Sequence, residues 1–476
     1  MTPARRTAAL CALLLPLCGC AVGPDYRAPA VPAGAEAALV SFDPATESSR
    51  PPPDDWWRLY SDPLLDRLIG EAFAANADLS AAEANLAGAR AVLEASRAGL
   101  YPGTTTVAGA VHGRDAPTDE ILEILGHKPQ TIWKYDTLLD VSYEVDLFGR
   151  VRRAIQASRA DAEAAAAARD GLRVTVAAET ARAYAQICTL GEQISVARHA
   201  LAVVSRSSEI TAQRRQAGAG SEFDTVRAEG FVAQVRAGIP PLEGQRRGAL
   251  FQLAALLGRT PSRAPAEAEA CVTPPRIAAL IPVGDGAALL KRRPDVRQAD
   301  RRLAAATARI GVATADLYPR VSLIGLYGGV GSHLEDLSAE RGLTWGLGPT
   351  VSWTFPNQSP ARARIRQARA GQAAALAGFD SVVLQALKET EQALAAYSAE
   401  LDRRQALAEA QVRAHRAFEL AHGQFQAGSL SQLELLTTEQ SWVSADAAVA
   451  ASDAALAQDQ IAVFKALGGG WRSGPR

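Results

Sequence analysis

The stretch from Arg150 to Gln216 contains no proline and is dense in Ala, Arg, Glu and Gln, residues that lose little on entering a helix. As one helix it would run about 100 Å, several times the usual length in a globular protein. Along its second half Ile187, Leu190, Ile194, Ala197, Leu201 and Val204 step by three and four residues in turn, the spacing of helices that wrap one another. Such a helix needs partner helices along its whole length. The stretch from Ala361 to Gln426 has the same character and reads as its echo.

The echo extends to the rest of the chain. Leu100-Tyr101-Pro102 is answered by Leu317-Tyr318-Pro319, each closing a helix and opening a strand. Val141-Ser142-Tyr143 is answered by Val351-Ser352-Trp353, Glu179-Thr180 by Glu389-Thr390, Gln216-Ala217-Gly218 by Gln426-Ala427-Gly428, and Leu257-Gly258 by Leu467-Gly468, these four at a separation of 210 residues. Ordered matches at nearly one separation indicate a tandem duplication.

Between the helical stretches the period falls to two. Residues 104–112 have a strand composition, and a polar loop spans about Gly113 to Lys134. Leu139, Val141, Tyr143 and Val145 then alternate with Asp140, Ser142, Glu144 and Asp146, so one face suits lipid or core and the other water. In the second half Leu343, Trp345, Leu347, Pro349, Val351, Trp353 and Phe355 share one face. That length suffices for a tilted strand to cross a bilayer, with aromatics near both ends for the interfaces. Four such strands per chain cannot close a barrel, and an open strand edge in lipid is too costly. Several chains must contribute, giving eight strands in a dimer or twelve in a trimer. The polar strand faces favour twelve, which leaves an aqueous lumen.

Residues 1–19 read as a signal segment, with Arg5 and Arg6 before an apolar run too short to span a bilayer. Leu17-Cys18-Gly19-Cys20 looks like the lipobox of bacterial lipoproteins, in which Cys20 receives lipid and becomes the mature N-terminus. Residues 20–60 are rich in Pro, Ala and Ser and read as extended, lying on the outside of other structure. A helical pattern runs from Asp62-Pro63 to about Leu100, and another follows the long helix from Ser221 to about Leu257. The expected organisation is repeat one over 61–258, a Pro-rich linker over 259–286, repeat two over 287–470 and a tail over 471–476. Of the cysteines beyond the signal, Cys188 and Cys271, nothing demands a bond, and both read as unpaired small residues.

A net charge of −1 with no basic face argues against nucleic acid as a partner. The six histidines are scattered; His415 and His422 share a helix face but have no third ligand near, so no metal site is expected. No nucleophile arrangement, phosphate loop or dinucleotide fingerprint is present, so neither enzyme activity nor a cofactor beyond the lipid on Cys20 is expected.

Four stretches carry a resemblance: Cys20 to Tyr26, Trp57 to Ala81, Glu144-Val145-Asp146-Leu147-Phe148-Gly149-Arg150, and Arg292-Arg293-Pro294-Asp295-Val296-Arg297. With them the chain resembles the TolC-like outer membrane factors, and more narrowly their OprM/NodT-like lipoprotein branch. The resemblance implies a mostly α fold with a transmembrane β part: a homotrimer with a twelve-stranded outer-membrane barrel continuous with a periplasmic α-helical barrel, and a belt made by the Pro-rich segments. It also implies an exit duct for drugs or other small toxic compounds, joined through a periplasmic adaptor to an inner-membrane transporter of RND type. Alternatives in other classes are the duct of a type I protein secretion system and a poreless coiled-coil lipoprotein. Pro356-Asn357-Gln358-Ser359-Pro360 departs from the family's turn and leaves the local strand-to-helix geometry open.

Two sets of residues are candidates for function. Asp224 and Glu434, each six residues beyond a glycine, read either as capping-box residues of Ser221 and Ser431 or as an acidic constriction of the periplasmic aperture. The turns containing Gly218, Ala219 and Gly220, and Gly428 and Ser429, are hairpin tips ended by C-caps; by the resemblance they meet the adaptor.

Overall fold

The computed structural model describes residues 21–470 except 115–119, 122, 127, 129–130 and 278–279. The signal segment, Cys20 and the tail from Trp471 lie outside the described residues. In chain order the elements are β1 (Glu47–Ser48), α1 (Pro63–Ala75), α2 (Ala77–Ala98), β2 (Gly103–Gly113), β3 (Ile132–Val145), α3 (Arg150–Gln216), α4 (Glu222–Ala237), α5 (Ile239–Leu256), β4 (Ile281–Pro282), α6 (Gly286–Arg292), α7 (Pro294–Ala315), β5 (Arg320–Gly331), β6 (Leu343–Ser352), α8 (Ser359–Gln426) and α9 (Gln432–Ala466). The long helix occupies its predicted interval, and its echo starts two residues early, at Ser359.

Three boundaries differ from the sequence reading. The pattern from Asp62 to Leu100 is two helices, because Asn76 is extended (φ −67°, ψ 127°) and caps the second by accepting the Leu79 N–H at 3.1 Å. Its amide also donates to the Leu256 carbonyl at 3.2 Å, a contact no periodicity announces. The run from Ser221 to Leu257 breaks at Gly238, since Pro240 and Pro241 lack N–H donors and fit only the first turn of α5. Strand β6 stops at Ser352, short of Phe355, and the Trp353 indole donates to the Leu317 carbonyl at 3.1 Å.

The strands form one antiparallel sheet in the order β2-β3-β5-β6. Directly paired residues share a face, so the register sorts the side chains. Leu139 pairs with Thr106 and Tyr327, Tyr327 with Trp345, and Gly325 with Val141 and Leu347. That face also carries Trp133, Tyr135, Tyr143, Leu323 and Val351, and no Asp, Glu, Lys or Arg. The other face takes Lys134, Asp136, Asp140 and Glu144. Trp345 and Leu347 are each 73% exposed, so the apolar face is left uncovered by the chain itself. Among the described residues β2 and β6 each pair along one edge only.

The chain forms two compact units, one built from residues up to Pro29, Leu86–Ala164 and Ala299–Phe379 and holding the sheet, the other from Ala30–Asn85, Ala165–Gln298 and from Asp380 onward. In the second unit one core gathers α1, the middle of α3, α5, α8 and α9 through Leu65, Ile69, Ile187, Leu253, Leu394 and Phe464. Trp56 is fully buried and stacks on Phe464 at 4.8 Å; truncating Phe464 to alanine removes a packed ring worth about 3–5 kcal/mol. Within the predicted heptad stripe Ile187, Leu190, Ile194 and Val204 are buried, and Ala197 and Leu201 half-buried. The Pro-rich N-terminal segment lies against this unit: the Val40 and Ser41 N–H groups donate to Glu391 at 2.7 and 2.8 Å, and β1 pairs in parallel with β4. Arg293 is buried, donating to the Ala466 carbonyl at the end of α9 (2.7 Å) and to Glu389 (2.8 Å).

The expectation of two unpaired cysteines is corrected: Cys188 in α3 is disulfide-bonded to Cys271 in the linker, with Cα atoms 4.8 Å apart. The Arg246 guanidinium donates to the Cys271 carbonyl at 2.7 Å. Spacing along the sequence could not show this, because 83 residues separate the partners and only the fold of α5 and the linker onto α3 brings them together. A bond of this kind suits an oxidising compartment. A loop of that size constrains the unfolded chain by about 4–5 kcal/mol in the chain-entropy account. Replacing Cys188 and Cys271 by serine is expected to lower the melting temperature of the oxidised protein to that of the reduced wild type, read by thermal unfolding with and without reductant.

Candidate functional site at the helix hairpin tips

Helix α3 ends at Gln216 and its last carbonyls are closed by a two-bond cap. The Gly218 N–H donates to the Arg215 carbonyl (2.9 Å) and the Ala219 N–H to the Arg214 carbonyl (2.8 Å). The same pair recurs in the second half: Gly428 N–H to Phe425 (3.0 Å) and Ser429 N–H to Gln424 (2.9 Å). This cap requires a left-handed residue at its turn, and Gly218 (φ +74°) and Gly428 (φ +77°) supply it. Neither position has any atom within 4 Å of where a Cβ would stand, and residues 217–221 are all exposed. Both tips are therefore pre-shaped turns, the first fully exposed and the second tucked in at Leu430, which packs on Phe425 and Leu435.

The helices leaving the tips start the same way. Ser221 caps α4 by accepting the Asp224 N–H (3.1 Å), and its hydroxyl donates to the Asp224 carboxylate at 2.6 Å. Ser431 caps α9 by accepting the Glu434 N–H (3.2 Å), while its own N–H and hydroxyl donate to the Glu434 carboxylate at 3.1 and 2.8 Å. Glu434 thus completes a capping box with Ser431, while the Asp224 carboxylate is held by the Ser221 hydroxyl at the start of α4. Hydrogen bonds from the Ser431 hydroxyl and then its backbone hold the Glu434 carboxyl below its ordinary range.

Each tip also carries apolar residues that the sequence reading passed over. Phe223 is 70% exposed, and Leu433, at the corresponding position of the second half, is 47% exposed. A bulky apolar residue two places after the capping serine in both halves was the available indication. With the glycine turn they form an apolar knuckle on a polar stalk, suited to pack against another helical hairpin.

At the far end of α3 the motif Glu144 to Arg150 makes the strand-to-helix junction. The Asp146 carboxylate accepts the N–H groups of Val151 (3.1 Å) and Arg152 (3.0 Å), and Arg150 pairs with Glu144. Gly149 has φ +80°, and a Cβ there would lie 2.6 Å from the Ala21 Cα. The chain just after Cys20 is seated on this turn: the Val22 N–H donates to the Phe148 carbonyl (3.0 Å), and the buried Arg153 donates to the Val22 and Gly23 carbonyls (both 3.1 Å) and pairs with Asp25 (2.8 Å). His415 packs edge-on against Trp442, and His422 is bonded to Gln426. Among the described residues no three His, Cys, Asp or Glu side chains are grouped for a metal, and no helix is long and apolar enough to cross a membrane.

A four-stranded sheet with one uncharged exposed face, in a chain whose helices are far too long for a globular core, fits an outer-membrane channel with a helical part. The sequence matches the outer membrane efflux protein family over residues 68–259 and 287–469. It is 31% identical to the pyoverdine export outer membrane protein OpmQ of Pseudomonas putida, covering 90% of this chain and 91% of that one. It is 27% identical to the toluene efflux pump outer membrane protein TtgF of the same species, over 97% and 96% of the two chains. The solved outer-membrane channel OprN superposes with a TM-score of 0.85 at 35% identity, over 95% of this chain and 100% of that one. The chain belongs to the outer membrane efflux protein family. It is a channel protein of the outer membrane that reaches into the periplasm, and it serves as an exit duct for toxic compounds.

Because the Glu434 carboxyl is held below its ordinary value near 4.5, its contribution to the start of α9 is present above that value and is lost as pH falls through the depressed one. Amide exchange at the first turn of α9, normalised to the Glu434→Gln variant, is expected to accelerate on acidification and to stay level near neutrality.

Proposed function

We propose that three copies of this chain, a tandem duplication of residues 61–258 and 287–470, close a twelve-stranded barrel in the outer membrane that continues as an α-helical tunnel through the periplasm. The observation that carries this is the sheet, with one uncharged exposed face and, among the described residues, two unpaired edges. In hydrocarbon an unpaired edge leaves its N–H and C=O groups without partners, so the sheet is stable there only when β6 of one copy pairs with β2 of the next. Eight strands leave an interior filled by side chains, whereas twelve leave a lumen that the Lys134, Asp136, Asp140 and Glu144 face can line. The linker 259–286 and the N-terminal segment serve as a belt around the helices.

The mature N-terminus is lipidated at Cys20. Support comes from the residues that follow it: Ala21 to Gly23 are seated on the strand-to-helix junction after β3. The tips Gly218, Ala219, Gly220, Gly428 and Ser429 contact a periplasmic adaptor, which joins the duct to an inner-membrane transporter of RND type. Three copies each of Asp224 and Glu434 add a ring of carboxylates near the tips that favours cations in addition to capping. Relatives named for pyoverdine export and for toluene efflux differ in cargo, so the shared family build does not by itself fix what is carried.

In planar bilayers the purified protein is expected to give single channels with cation preference, and the Asp224→Ala, Glu434→Ala pair to weaken that preference; unchanged selectivity would leave the two residues as caps alone. In cells, tryptophan at Gly218 or Gly428 should abolish drug resistance with the trimer intact, and Cys20→Ser should lose a radiolabelled fatty acid. Full resistance in the tip variants, or retained label, would count against these roles.

A further inference from the structure

Glu439 lies in α9, two turns beyond the Ser431 cap, and is 0% exposed. Neither of its carboxylate oxygens has a hydrogen-bond partner. A buried acid without a partner is costly and normally satisfied. The corresponding residue of the first half, 210 positions earlier, is Glu229 in α4, and it is exposed. The same side chain is thus in water in one half and shut away in the other.

Glu439 closes a groove of about 580 Å³ between α3, α8 and α9, lined with Phe418, Phe425 and Leu435. Two guanidiniums from α3, Arg206 and Arg214, line the same groove, yet neither bonds to the acid. Arg214 lies over the Phe425 ring at 4.4 Å. From α8 the groove receives His422, held by Gln426 at 2.8 Å. Farther along α9, His199 of α3 and His415 of α8 face Trp442. Helix α4 packs on another side, with Phe231 and Val235 beside Gln440 and Val443, and places no charged side chain in the groove.

We propose that Glu439 is a proton-operated latch between α9 and α3: neutral, it stays in its apolar seat, and ionised, it leaves for the guanidiniums of Arg206 and Arg214 and loosens α9 beside the hairpin tip. Burial raises its carboxyl from an ordinary 4.5 to about 7, with the Ser207 hydroxyl, outside hydrogen-bonding geometry, offsetting this only in part. For an acid shifted upward, the packed arrangement is fully favoured below the ordinary value and lost as pH rises through about 7. Well above that, the buried seat is disfavoured by up to about 300-fold relative to one in which the charge is solvated or paired. A two-state contact poised near neutrality can in this way convert a proton into a helix movement. The latch is a property of local packing and is read without any pore.

The test is hydrogen–deuterium exchange of the full-length protein over residues 202–214 and 435–442, from about pH 5 to about pH 9. At each pH the rate is divided by that of Glu439→Gln, which cancels the intrinsic pH dependence of exchange. The ratio should stay near one in acid and rise at least tenfold with a midpoint near 7, also when Glu439→Met is the reference. His422→Gln should retain the transition, and the Arg206→Gln, Arg214→Gln pair should shift its midpoint upward. A flat ratio, or a transition that disappears with His422, overturns the latch.

Discussion

At residues 146 to 153 the backbone passes from pleated strand to helix, and one short network holds the change in place. The Asp146 carboxylate closes the open N–H groups of α3, Gly149 takes a left-handed turn that a side chain could not, and Arg153 ties the turn to Val22 and Gly23. Without that network the strand could not end where the helix begins, and the helix would start with unsatisfied donors. The sheet, the long helix and the seating of residues 21–25 all depend on it.

Alanine sets the character of the helical part. A core rich in Ala177, Ala178, Ala181, Ala183 and Ala185 lets helices approach closely, and its stability comes from many small contacts. Large side chains concentrate at one level, where Trp56, Tyr184, Leu394 and Phe464 meet the Pro-rich segments. The disulfide between Cys188 and Cys271 and the buried Arg293 belong to that same core region. Stiffness is thus placed in the middle of the helices, while the tips end in glycine caps.

Corresponding positions of the two halves share backbone chemistry and differ in environment. The glycine caps after Gln216 and Gln426 match bond for bond, as do those at Gly258 and Gly468. Glu229 and Glu439 occupy equivalent places and have opposite exposure. Local hydrogen bonding follows from local sequence, so it repeats; burial depends on which neighbours arrive, and these differ between the halves.

The sequence by itself determined the long helices, the four strands with their apolar face, the glycine tips and the serine caps, because each rests on period, propensity or a cap spanning a few residues. Only the tertiary structure decided the break at Asn76, the bond between Cys188 and Cys271, the end of β6 at Ser352 and the burial of Glu439. Each of these is fixed by a partner far along the chain, Leu256 for Asn76 and Leu317 for Trp353 among them. Contacts between residues distant in sequence carry no periodic trace in it, and they form only once the helices have packed.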